Sequence, residues 1–91
     1  MKLIEYADIL NVNLEVIYYN NQNNRWIAQF EYAEVKDSKG SCVLKSEYGN
    51  GCSPEIAIED YVNQIKGKIL VFNAMSETKR REYLVPDSLE Y

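Results

Sequence analysis

The sequence predicts an α+β fold: an antiparallel β-meander with one main helix packed across it, in the order (α)-β-β-β-α-β-(α). Three observations predict it. Two segments, beginning at Leu14 and Trp26, alternate residues with the period of two that a half-buried strand requires. A capped stretch of helical periodicity follows from Ser53 to Ile65. The apolar run Ile69-Leu70-Val71-Phe72 then returns the chain to the sheet, the arrangement of a two-layer domain.

In the first strand Leu14, Val16 and Tyr18 alternate with Glu15, Ile17 and Tyr19, a pattern of β-branched and aromatic residues. Asn20-Asn21-Gln22-Asn23-Asn24 reads as a hairpin loop, because Asn tolerates turn conformations and bonds its own backbone. Trp26, Ala28, Phe30 and Tyr32 alternate with Ile27, Gln29, Glu31 and Ala33. The Trp/Ala/Phe/Tyr face is predicted to be the core face, with Gln29 and Glu31 in solvent. Asp37-Ser38-Lys39-Gly40 is a turn signal. A third strand is predicted from Ser41 to Tyr48, with Cys42 and Leu44 on one face and Val43, Lys45 and Glu47 on the other. Gly49-Asn50-Gly51 breaks it.

Ser53 is predicted to cap the main helix, with Pro54 at its first position and Glu55, Glu59 and Asp60 toward the positive dipole end. Ile58, Tyr61, Val62 and Ile65 form one apolar stripe, and Gly67 ends the helix. Lys68 to Phe72 is a short strand, apolar on both faces. At the ends, Leu3–Leu10 is predicted as a short helix with Ile4, Ala7 and Leu10 on one side. Ser76 is predicted to cap a second helix, Glu77 to Tyr83, which Pro86 would not extend. The predicted core is Leu14, Val16, Trp26, Ala28, Phe30, Ile58, Val62, Ile65, Leu70 and Phe72.

A chain of 91 residues fits a single small domain, 1–91, and 46% hydrophobic residues argue against disorder. No apolar run approaches the ~18 residues of a membrane span. Met1-Lys2-Leu3-Ile4 meets Glu5 and Asp8 at once, unlike a signal peptide, so a cytoplasmic protein is expected. Histidine is absent, which removes the commonest general base and metal ligand. Cys42 and Cys52 stand ten apart, without metal-ligand spacing, and read as thiols rather than as a disulfide framework. The expectation is a protein that is not an enzyme, with no cofactor and no metal.

The net charge is −4, with an isoelectric point near 4.8. Residues 1–64 hold ten acids and five bases, a net of −5, while residues 65–91 hold four acids and five bases, a net of +1. Such a balance argues against direct nucleic-acid binding, which needs clustered cations. Glu55, Glu59 and Asp60 are candidates for an acidic docking face, set against simple compensation of the helix dipole. Tyr19, Tyr48 and Tyr83 are candidate exposed aromatics of a protein interface. Lys79, Arg80 and Arg81, with Lys66 and Lys68, can grip an anion or merely solvate a turn.

A resemblance adds to this reading. The β-β-β-α-β order with its Trp26/Ala28/Phe30 strand, followed by Gly49-Asn50-Gly51-Cys52-Ser53-Pro54-Glu55-Ile56-Ala57-Ile58, resembles the HicB-like antitoxin domain, which has a partial ribonuclease H fold. The family's helix begins with glycine, Ser/Thr, x, Glu, Glu, Ala, and Pro54-Glu55-Ile56-Ala57 matches it loosely. The resemblance implies an antitoxin that blocks a small ribonuclease toxin. Family members add a DNA-binding segment; residues 73–91 are short for one, so operator binding is not expected. Ile65 to Phe72, followed by Arg80-Arg81-Glu82-Tyr83 and Val85-Pro86, is similar to small proteins of phage genomes.

The leading expectation is a non-enzymatic phage-type binding protein that acts by occupying a partner protein. For a phage protein that makes it an inhibitor of a host defence system, anti-CRISPR-like or another anti-defence type. The alternatives are the HicB-like antitoxin and a small-molecule sequestering protein. The expected partner is a basic, nucleic-acid-binding protein. A homodimer through a sheet edge is also expected, since the predicted first and last strands lack Pro.

Overall fold

Phe30 and Tyr32 lie on one face of a single alternating segment, yet Phe30 is buried and Tyr32 is 73% exposed. The computed structural model describes residues 1–20, 25–37, 39 and 43–91. The predicted loop at 20–24, the turn at 37–40 and the start of the predicted third strand, with Cys42, lie wholly or partly outside these residues. The expected strand from Trp26 to Ala33 is two strands. β2 (Arg25–Phe30) ends where Tyr32 takes a left-handed backbone, φ 63°, and β3 (Ala33–Lys36) starts afresh in another sheet. That conformation costs an L-residue about 1–2 kcal/mol. Two backbone bonds hold the turn, from Glu31 N–H to the Asn13 carbonyl (2.9 Å) and from Asn73 N–H to the Tyr32 carbonyl (3.1 Å).

The remaining elements are α1 (Leu3–Leu10), β1 (Leu14–Tyr19), β4 (Gly49–Gly51), α2 (Pro54–Ile65), β5 (Ile69–Phe72) and β6 (Arg81–Leu84). The fold is α+β, but the sheet is not one meander. It is two three-stranded antiparallel sheets, β1-β2-β4 and β3-β5-β6.

Gly49-Asn50-Gly51, expected to break a strand, is itself a strand. Its glycines are required because β4 lies directly against α2. A Cβ on Gly49 would overlap the Ala57 carbonyl oxygen and stand 2.7 Å from the Tyr61 Cβ; one on Gly51 would stand 2.6 Å from the Ala57 nitrogen. Of the expected third strand, residues 43–48 contribute a single bridge, between Lys45 and Val35, with 2.8 Å bonds both ways. The expected C-terminal helix is also absent. Ser76 Oγ accepts from Lys79 N–H (3.0 Å), which closes a turn, and the chain then pairs with β5 as β6. This explains the two-faced apolar pattern of β5: it is the central strand, not the edge it was expected to be, and Leu70 and Val71 are both fully buried.

α2 keeps its predicted start, with Ile56 N–H donating to Ser53 Oγ (3.2 Å) and Pro54 in the first turn. It buries Ala57, Tyr61, Val62 and Ile65. α1 also has its predicted bounds, but it turns Leu3, Tyr6, Ala7 and Leu10 inward and leaves Ile4 exposed. The C-terminal tail dictates this rotation. Leu3 N–H donates to the Glu90 carbonyl (2.7 Å) and Glu90 N–H to Met1 (2.8 Å), and Val85 and Leu89 join the core. Of the predicted core, Ala28, Phe30, Val62, Ile65, Leu70 and Phe72 are buried, while Leu14, Val16, Trp26 and Ile58 pack at its margin.

Candidate binding surface

Residues directly opposite in an antiparallel pair share a face. Leu14, Val16 and Tyr18 therefore join Phe30, Ala28 and Trp26 on the face that meets α2. Phe30 packs edge-on to Tyr61 at 5.6 Å, and its backbone N–H donates to the Tyr61 hydroxyl (3.0 Å). Burial pushes the Tyr61 phenol up to about 12 against that bond. The reverse face carries Glu15, Ile17 and Tyr19 of β1 beside Gln29, Ile27 and Arg25 of β2. There Ile17 and Tyr19 stand 42% and 44% exposed. β1 is an edge strand, and Tyr18, whose ring is tilted against Trp26 at 5.2 Å, is also exposed. Three consecutive large side chains thus lie in solvent along an edge that pairs with no other strand among the described residues.

The other sheet is finished differently. Lys36 on β3 and Glu82 on β6 meet at 2.7 Å, so their bridge arches over the intervening β5, where Val71 is fully buried. Arg80 Nε and Nη2 also donate to Glu82 (3.2 and 3.0 Å), and Nη1 to the Ala74 carbonyl (3.3 Å). The Lys36 and Arg80 bonds hold the Glu82 carboxyl below its ordinary range.

The sequence-predicted site residues are not brought together. Tyr19 lies on β1, and exposed Tyr48 immediately precedes β4, on the opposite margin of the same sheet. Glu55 is exposed in the first turn of α2 and Glu59 is half-buried. Asp60 accepts from Asn50 N–H (2.8 Å) and Gln64 Nε2 (2.9 Å), and so ties β4 to the helix. Tyr83 is half-buried against Phe72, rings 5.9 Å apart. Arg80 is committed to Glu82, whereas Lys79 and Arg81 are exposed along a cleft. Lys66 and Lys68 line two other hollows, so the bases form no single patch. Cys52 is an exposed free thiol.

Residues that the pattern did not single out are the three non-glycine positions with positive φ among the described residues: Asn11 (55°), Tyr32 (63°) and Asn73 (53°). The two Asn residues carried a signal, since Asn favours left-handed turns; Tyr32 carried none. Among the described residues, no three His, Cys, Asp or Glu side chains gather as a metal site would, and no helix is long and apolar enough to cross a membrane. No family model, curated protein or solved structure matches the chain.

Proposed function

We infer that this protein is a non-catalytic binding protein that occupies a protein partner through the β1 edge of its first sheet. The single observation that carries this reading is the run Ile17-Tyr18-Tyr19, exposed on a strand that is at the sheet edge among the described residues. An edge of this kind accepts an extended strand of another chain, with the backbone giving affinity and the side chains register. The partner is a basic protein. The net charge of −5 in residues 1–64, which include α1, the whole first sheet, β3 and nearly all of α2, steers a positive surface toward it. In a phage setting the partner is a nucleic-acid-binding component of host defence, and the protein acts in the host cytoplasm as its inhibitor.

The test uses the tagged full chain and the partner it captures from host lysate. Ile17→Lys and Tyr19→Glu place charge on the edge and should weaken capture by at least about tenfold, a loss of about 1.4 kcal/mol. As surface changes they should alter folding stability by only about 0.5 kcal/mol. Capture should also weaken as salt rises. Capture that survives both substitutions would refute the edge as the docking element. A small ribonuclease as the captured partner would assign the antitoxin role instead.

A further inference from the structure

Asn11, Tyr32 and Asn73 belong to three turns far apart in sequence: after α1, between β2 and β3, and after β5. All three line one cleft of about 400 Å³, within the range of about 300–1,000 Å³ typical of small-molecule sites. Its aromatic lining is Tyr32, Phe72 and Tyr83. Lys79 and Arg81 also line it, and neither makes an ion pair among the described residues. The one acid lining it, Glu31, is already engaged by Asn13 Nδ2 (3.0 Å). The cleft therefore offers two cations and aromatic surface, while the Asn13 and Asn73 amides donate to Glu31 and to the Lys79 carbonyl (3.4 Å). A larger hollow of about 600 Å³, also lined by Tyr32, holds a single charged residue, Glu34, and no cation.

We propose that this cleft binds a nucleoside monophosphate unit, with the base against the Tyr32 ring and the phosphate held by Lys79 and Arg81. Each half of the ligand answers a feature of the cleft. Arginine and lysine bind phosphate by charge-assisted bonds. An exposed tyrosine ring stacks any base, because every base has a π face. Overall acidity does not oppose this, because the cleft draws its cations from the segment after Ile65, whose net charge is +1. The unit can belong to a free nucleotide or to the 5′ end of a strand.

The test is an NMR titration of the full chain with AMP, GMP, CMP and UMP, and separately with inorganic phosphate, adenosine and a 5′-phosphorylated oligonucleotide. Amide signals of Tyr32, Asn73 and Arg81 should shift, and a nucleotide should bind at least about tenfold tighter than phosphate or nucleoside alone. Tyr32→Gly is the decisive variant, because glycine adopts positive φ freely, so the fold is kept while the ring is lost. It should abolish the advantage of nucleotide over phosphate. Lys79→Gln with Arg81→Gln should abolish the advantage of nucleotide over nucleoside. Tighter binding of the oligonucleotide would assign a strand end, and tighter binding of the mononucleotide a free ligand. No shifts at millimolar nucleotide, phosphate binding as tightly as nucleotide, or an unchanged preference in Tyr32→Gly would each overturn the proposal.

Discussion

The two sheets have the same strand number and the same antiparallel pairing, but they end differently at their edges. β3-β5-β6 is closed. Its β6 edge carries Arg81 and Glu82, its β3 edge is bridged by Lys45, and the Lys36–Glu82–Arg80 cluster spans one face. Charged edges of this kind resist pairing with another chain. β1-β2-β4 has one closed edge, where β4 lies against α2, and one open edge at β1, where Ile17, Tyr18 and Tyr19 are exposed. The proposed docking at β1 rests on this contrast. The same contrast separates residues that hold the fold, such as Asp60 and Arg80, from residues left to meet something else.

The largest expected effect breaks both sheets at once. The Phe30 ring lies 5.6 Å from Tyr61, 6.0 Å from Phe72 and 6.5 Å from Tyr6, so it joins the first sheet to the second and to both helices. Phe30→Ala should cost about 3–5 kcal/mol, read by urea unfolding. Gly49→Ala acts on the first sheet alone, by driving a methyl group into the Ala57 carbonyl. A cost of about 1–3 kcal/mol is expected, with faster amide exchange in β4. A neutral Gly49→Ala would refute the close approach of β4 to α2.

Tyr61→Phe leaves the ring and removes the acceptor of the Phe30 N–H, a loss of about 1–3 kcal/mol for a buried donor. The same hydroxyl gives a pH signature. Its folded pKa of about 12 exceeds the ordinary value of 10.0, so its contribution is full below pH 10 and is lost as pH rises through 12. Thermal melts of the wild type should fall across that window, and the Tyr61→Phe melts should fall less. The smallest effect belongs to the second sheet. The Glu82 carboxyl is held below its ordinary value, so its contribution is present above pH 4.5 and is lost as pH falls through the folded value. Glu82→Gln should flatten the acid side of the stability profile and leave the alkaline side unchanged.

Much of the first sheet was legible, because its signals are local. The alternation in Leu14–Tyr19 and Trp26–Phe30, and the Ser53-Pro54 start of α2, need no distant partner to be read. The second sheet was not. Arg81-Glu82-Tyr83-Leu84 becomes a strand only because β5 needs a neighbour; in the first sheet, β4 escaped too, since Gly49-Asn50-Gly51 pairs with β2 where α2 leaves no room for a side chain. Tyr32 continues an alternating pattern that tertiary pairing cuts short. Of the predicted site residues, Tyr19 lies on the open edge and Lys79 and Arg81 on the cleft. Asp60 and Arg80 are taken up by Asn50 and Glu82, partners that no spacing in the sequence announces.

The difference between the two edges can be measured directly by hydrogen–deuterium exchange of the full chain, free and bound to its captured partner. Amides of Leu14–Tyr19 should gain protection on binding, while those of Arg81–Leu84 should exchange as in the free protein. Protection confined to Arg81–Leu84, with β1 unchanged, would contradict the account.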